Sequence, residues 1–281
     1  MRIPVIIAAL LAGLTVAATA LAQAPCEGLP PEKKVLWEGV LATLHPYDAC
    51  DGTFKECLAE KPPKPLVLRL TADLCRRVSS GKDRAELERG LSRRAQSVLP
   101  MGKAVVLTLE EAMCAGEPGA PVTIVCFACS RCPYCKVIVP GLYEAVTKGV
   151  LKGKARLYYK LFPIKDHPGS IEGGLAMTAA ARLGRFWPFT LDLYARFDSF
   201  CPKNLAIRAG EAGMEKAAFE AVVAAPATRE ALVQSKKEGL KYKVESTPTL
   251  FIDGRKYVYE VGMEAILDVV EEVHENRIAS R

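Results

Sequence analysis

The sequence predicts an α/β fold carrying a helical insertion, preceded by a small all-α module that contains cysteines. Three observations lead there. A β-branched run at residues 122–127 passes into a helical pattern and then into a second apolar run at 155–162, which is the sequence form of a βαβ unit. An apolar run at 249–253, an Asp253-Gly254 turn and a run at 256–259 read as a β-hairpin, followed by a last helix near 263–273. Residues 26–98 instead carry a helical period, seen in Leu87, Leu91, Ala95 and Val98 of "DRAELERGLSRRAQSVL".

The elements follow in chain order. "MRIPVIIAALLAGLTVAATALAQA" joins an early positive charge at Arg2 to a short apolar run and a small-residue Ala20-Leu21-Ala22 ending, the pattern of an export signal cleaved after Ala22. No second apolar stretch approaches spanning length. Residues 23–103 then form the helical module. "PMGKAVVLTLEEAMCAGEPGAP", punctuated by Pro and Gly, marks the boundary and is expected to hold a strand at 104–109. The α/β domain runs from 104 to 281, with its helical insertion at about 165–240.

Half of the 281 residues are hydrophobic, enough for one or two packed domains. The 38 basic and 32 acidic side chains alternate along the chain, so they describe a solvated surface and exclude a nucleic-acid footprint. Ten cysteines in an exported chain are the unusual feature, because thiols outside the cytosol end up paired, catalytic or metal-bound.

Four of them, Cys126, Cys129, Cys132 and Cys135, recur at every third position of "VTIVCFACSRCPYCKVIVP". A structural zinc site needs a spacer between ligand pairs, and an iron–sulfur run of the ferredoxin type spaces its last two cysteines more widely. Cys126, moreover, sits in a strand whose alternate side chains point to opposite faces. The row therefore divides: Cys126 in the strand, Cys129 in the loop, and Cys132-Pro133-Tyr134-Cys135 opening a helix from Cys132. A thiolate at a helix N-terminus is stabilised by the macrodipole and by unpaired N–H groups, which makes it a nucleophile and a good leaving group. Cys135, one turn deeper, can attack the mixed disulfide that Cys132 forms, and Pro133 suits the first helical position. Such a dithiol exchanges electrons without a cofactor.

"CPYCKVIVP" resembles the thioredoxin superfamily motif of CxxC, a lysine and a helix proline, here Pro140; Thr247-Pro248-Thr249 looks like the loop of that fold that faces the CxxC. "APVTIVCFACSRCPYCK", "LFPIKDHPGSIEGGLAMTAAARLGRFWPF" and "VESTPTLFIDGR" are similar, in order and wording, to the DsbA-like exported oxidoreductases, over residues from about 104 to 275. The resemblance implies that Cys132 attacks, that Cys135 resolves, and that Thr247 and Pro248 hold the substrate's extended backbone. It also implies periplasmic residence, cysteine-containing exported proteins as substrates and a membrane redox partner.

The chain departs from the family at two places. Where the superfamily commonly carries a buried carboxylate to handle the second thiol's proton, this chain has Cys126, read as a small core residue; proton transfer is expected to use water or another group. Strongly oxidising relatives carry a histidine where Tyr134 stands, so Pro133 and Tyr134 are expected to tune the pair to an intermediate potential. Cys129 is left open as a free thiol or a partner of Cys126 or Cys114, and Cys201 is equally open.

Residues from about 45 to 100 bear a second resemblance, to the three-helix domain of CcmH-type cytochrome c maturation proteins, although Cys50 and Cys57 are spaced more widely than that family's redox pair. Cys26, Cys50, Cys57 and Cys75 allow three disulfide connectivities. Cys50 and Cys57 are candidates for a secondary redox pair relaying to Cys132. The alternative functions are a thiol reductant of cytochrome c maturation and a non-enzymatic metal-binding module. His45, His167 and His274 show no metal spacing and are assigned to surface or loop; Phe186, Trp187 and Phe189 are assigned to packing of the insertion.

Overall fold

A computed structural model describes residue 26, residues 28–99 and residues 103–279. The export signal expected over residues 1–22 lies outside the described residues. Among those described, no helix is long and apolar enough to cross a membrane. Contacts divide the chain into two compact units, between Leu87 and Glu88.

The first unit is built on helices α1 (Pro31–Thr43), α2 (Phe54–Ala59) and α3 (Pro65–Ser79), and it includes the start of α4 (Arg84–Val98). Proline opens α1 and α3, where its missing N–H costs no helical bond. Thr53 and Glu56 form a capping box at α2: the Thr53 N–H donates to Glu56 Oε2 at 2.7 Å and the Glu56 N–H to Thr53 Oγ1 at 3.3 Å. Asp83 and Glu86 exchange the same pair of bonds, at 2.9 and 2.7 Å, at the start of α4. Val40, Phe54, Val67, Leu70, Leu74 and Val78 are buried. Of the three possible connectivities the structure has Cys26–Cys75 and Cys50–Cys57.

The second unit is organised on a five-stranded mixed sheet in the order β1-β3-β2-β4-β5. Its strands are β1 (Cys114–Ala115), β2 (Val122–Ala128), β3 (Ala155–Leu161), β4 (Thr249–Ile252) and β5 (Arg255–Lys256). β2 and β3 run parallel, with Cys126 opposite Tyr159, and are joined through α5 (Cys135–Thr147). Between β3 and β4 lies the helical insertion: α6 (Ser170–Arg182), α7 (Phe186–Ala195), α8 (Leu205–Glu211), α9 (Lys216–Ala224) and α10 (Pro226–Lys241). α11 (Met263–Ala279) ends the described chain.

Side-chain alternation along β2 explains why its run is continuously apolar: both faces are covered. Val122, Ile124, Cys126 and Ala128 enter the core that includes Ile138, Val139 and Leu142 of α5, whereas Val125 and Phe127 pack with Tyr158, Phe162 and Phe251. The rest of α4 belongs to this unit. Its Arg94 is fully buried and donates to Glu272 at 2.9 Å and Asp268 at 2.7 Å, both on α11.

Three expected elements are altered. The strand expected at 104–109 does not form: Val105 N–H reaches Gly254 O at 2.9 Å, but Thr108 is held by side chains, its N–H by Glu238 Oε1 at 2.7 Å and its carbonyl by Lys160 Nζ at 3.1 Å. With a carboxylate and an ammonium occupying those backbone groups, no ladder is left to propagate. The hairpin's second strand is limited to Arg255–Lys256, and the last helix runs on to Ala279.

Candidate active site

The site forms where β2 ends. A turn follows, closed by the Cys132 N–H on the Cys129 carbonyl at 3.2 Å, and the regular helix α5 starts at Cys135, three residues later than expected. The reason is local. The Lys136 N–H donates to the Cys132 carbonyl at 3.2 Å, but the Val137 N–H turns to the Tyr134 carbonyl at 3.2 Å rather than to Pro133, so regular i→i−4 bonding resumes only with Ile138 on Tyr134 at 3.0 Å. Cys132 is therefore the residue at the helix mouth, with the N–H groups of Tyr134 and Cys135 directed at its sulfur. Glycine at 173 lets α6 approach this loop, since a Cβ there would come within 2.3 Å of Ser130 Oγ.

Thr247 and Pro248, joined by a cis peptide bond, come to the same place. The Cys132 thiol donates to the Thr247 carbonyl at 3.0 Å, while the buried Thr247 hydroxyl has no hydrogen-bond partner. Ionising Cys132 would give that hydroxyl an acceptor. The Cys132 pKa is lowered to about 5, first by a hydrogen bond from the Cys135 thiol, against the cost of burial, and then by Thr247 and the two amides.

Cys135 is the opposite case: fully buried, its thiol is pushed far upward by desolvation and by its bond to Cys132. Two chemically identical side chains are thus split, one held toward its thiolate and the other held neutral. Cys126 is also fully buried, and desolvation holds it at about 12, so it cannot replace a carboxylate as a proton acceptor near neutral pH. Tyr134 is 67% exposed, at the surface beside Cys132, which is itself 2% exposed. All six cysteines outside the first unit's disulfides are free, so Cys129 pairs with neither Cys126 nor Cys114.

Some neighbours carry no local sequence signal. The hydroxyls of Tyr159 and Tyr194 meet at 2.9 Å, and Tyr194 donates to the Cys129 carbonyl at 3.2 Å. Arg131 stacks on Phe197 and Phe200 at 4.3 and 4.5 Å and donates to the Phe197 carbonyl at 2.6 Å, tying the insertion to the cysteine loop. His167 lies 3.5 Å from Cys129 Sγ. His45 contacts the Gly52 carbonyl within the first unit, and His274 lies on α11. Phe186, Trp187 and Phe189 pack in the core as expected. Among the described residues no group of three or more His, Cys, Asp or Glu side chains is arranged to hold a metal ion.

A βαβ sheet with a CxxC at a helix mouth, faced by the Thr247-Pro248 loop, is the architecture of the thioredoxin fold. A family profile described as thioredoxin matches residues 108–272, more than half of the chain, and the chain belongs to that family.

Solved structures share the fold. BdbD from Bacillus subtilis, in its oxidised form, superposes with a TM-score of 0.53 at 18% identity, covering 62% of this chain and 100% of that one. The thiol-disulfide exchange protein alpha-DsbA2 from Wolbachia pipientis gives 0.52 at 17% identity, covering 66% and 98%. Curated relatives include the Na(+)/H(+) antiporter NhaA 1 of Mycolicibacterium gilvum, 27% identical over 146 residues, and NhaA 3 of Salinispora tropica, 28% identical over 152. These matches take in 50% and 54% of this chain but only 23% of either relative.

Proposed function

We propose that the chain is an exported, periplasmic thiol:disulfide oxidoreductase that exchanges disulfides with cysteine-containing exported proteins through Cys132 and Cys135. The observation that carries this reading is the opposed ionisation of the two thiols, Cys132 lowered to about 5 and Cys135 driven upward, beside the Thr247 carbonyl. The Cys132 thiolate attacks a substrate disulfide and one substrate thiolate departs. Cys135 then gives up its proton and attacks Cys132 Sγ, releasing the second substrate thiol and leaving the Cys132–Cys135 disulfide. Run backwards, the same steps oxidise a dithiol substrate. Thr247 and Pro248 support the substrate's extended backbone; Pro133 and Tyr134 set the potential between those of thioredoxin-like reductants and the strongest oxidants. A membrane redox partner resets the pair.

Cys50–Cys57 is a candidate secondary exchange site, since it closes a loop of sequence separation 7 with Cys50 only partly buried. Oxidation of a dithiol peptide by glutathione disulfide tests the whole reading. Turnover is expected in the full mature chain and is lost in Cys132→Ser; a slower rate in Cys50→Ser/Cys57→Ser would mark the relay. Turnover that survives Cys132→Ser would reject the assignment.

A further inference from the structure

"CSRCPYC" contains two overlapping CxxC units that share Cys132. The first, Cys129-Ser130-Arg131-Cys132, forms the turn closed by the Cys132 N–H on the Cys129 carbonyl at 3.2 Å. Such a turn holds its end Cα atoms within about 7 Å, and a disulfide spans about 4.4–6.8 Å between Cα atoms. Cys129 is therefore within bridging range of Cys132.

Cys129 also has surroundings that an inert core thiol does not need. Its sulfur accepts the Arg131 N–H at 3.4 Å, and the Ile164 N–H is directed at it as well. His167 Nδ1 stands 3.5 Å away. The His167 backbone is held in a tight loop: the His167 N–H donates to Ile164 O at 3.1 Å, the Ser170 N–H to His167 O at 3.0 Å, and Ser170 Oγ to Ile164 O at 2.7 Å. Burial pushes the Cys129 thiol up despite these amides and the charge of Lys236, which is anchored on the Pro163 carbonyl at 2.9 Å, so its proton has to be taken by a base. Cys129 is 1% exposed and Cys132 2%, so both sulfurs are enclosed and the partner that the fold offers Cys129 is the one across the turn. A thiol, a base within reach of its proton and an electrophilic sulfur across a turn are together the parts of a nucleophilic site.

We propose that Cys129 is a second resolving thiol, which attacks Cys132 in competition with Cys135 and uses His167 as its base. The inference rests on the reading of Cys132 as the attacking thiol. In the step, the Cys129 proton passes to His167 Nδ1 and the Cys129 sulfur bonds to Cys132 Sγ. The bond between Cys132 and the substrate sulfur breaks, and the substrate leaves as a thiolate with the electron pair. Cys129 and Cys132 end oxidised as a disulfide and the substrate ends reduced, so no external oxidant is needed. Cys135 stays a thiol throughout. Cys132 can thus be resolved by either of two thiols, and the chain carries two internal disulfide states.

The test uses the full mature chain with Cys135→Ser, treated with glutathione disulfide and followed by mass spectrometry under non-reducing conditions. The expected result is a glutathione adduct on Cys132 that decays, releasing glutathione and leaving a Cys129–Cys132 linked peptide. In Cys129→Ser/Cys135→Ser the adduct persists, and adding His167→Gln to Cys135→Ser slows its decay at least about tenfold. An adduct as stable in Cys135→Ser as in the double variant overturns the proposal. No adduct on Cys132 in either variant overturns the reading on which it rests. Should Cys135→Ser fail to fold, the wild-type chain is mapped at the midpoint of a redox titration: a Cys129–Cys132 peptide beside Cys132–Cys135 supports the proposal, and Cys132–Cys135 alone overturns it.

Discussion

Cys132 and Thr247, 115 positions apart in the chain, meet at 3.0 Å, thiol to carbonyl, with the Thr247 hydroxyl buried and unpaired beside them. The contact joins the helix mouth to the cis-proline loop, and it puts the Thr247 hydroxyl where it can reach the sulfur once that ionises. In the thiol form Cys132 donates to the carbonyl. In the thiolate form it gains the Cys135 thiol, the hydroxyl and two amides as donors.

The pH dependence follows from that arrangement. An ordinary thiol ionises near 9 and Cys132 is lowered to about 5, so the fold favours its charged form. The stability this gives the dithiol protein is full above pH 9 and is lost as pH falls through 5. Thiolate absorbance is expected to titrate near pH 5, and to move up by about one unit in Thr247→Val, which removes the hydroxyl but keeps the shape. A wild-type midpoint near 9 would contradict the account.

Cys126 should be dispensable for proton transfer. It is buried, and held at about 12 by desolvation. Cys126→Ala is expected to leave the pH profile of exchange unchanged while lowering stability by about 1 kcal/mol. A profile that collapses in this variant would make Cys126 a proton carrier.

The two disulfides of the first unit should differ in worth. Cys26–Cys75 spans a sequence separation of 49 and Cys50–Cys57 one of 7, so chain-entropy arithmetic gives about 4 against about 2 kcal/mol. Amide exchange in α1 and α3 should therefore accelerate more in Cys26→Ser/Cys75→Ser than in Cys50→Ser/Cys57→Ser. Equal acceleration would speak against that ordering.

Arg94 is predicted to hold α4 on α11. It is fully buried with Glu272 and Asp268 as partners, and removing it takes away two charge-assisted bonds, the one to Glu272 wholly buried. Arg94→Met should cost about 3–5 kcal/mol in denaturant unfolding of the second unit. A cost below about 1 kcal/mol would mean the carboxylates find other compensation.

Much of the site was legible because its signals are local. The run ending at Ala128, the CPYC and the Thr247-Pro248 pair each declare themselves within a few residues, and the β2–α5–β3 unit follows from period alone. The start of α5 was misplaced because whether Pro133 lies inside the helix or just before it depends on which N–H makes the first bond. The strand expected at 104–109 failed for a nonlocal reason: Glu238 and Lys160 take its backbone groups. The Tyr159–Tyr194 pair, the Arg131 stack and the approach of His167 to Cys129 join residues 35 or more positions apart, and a one-dimensional pattern does not record such meetings. Disulfide pairing in the first unit was open for the same reason.

The most direct test of the central claim is a redox titration of the mature chain against glutathione, reading the thiols of Cys132 and Cys135, with Cys132→Ser alongside. The account predicts one two-electron transition, absent in Cys132→Ser, with a potential between about −270 and about −120 mV. A transition that persists in Cys132→Ser, or none in the wild-type chain, would contradict it.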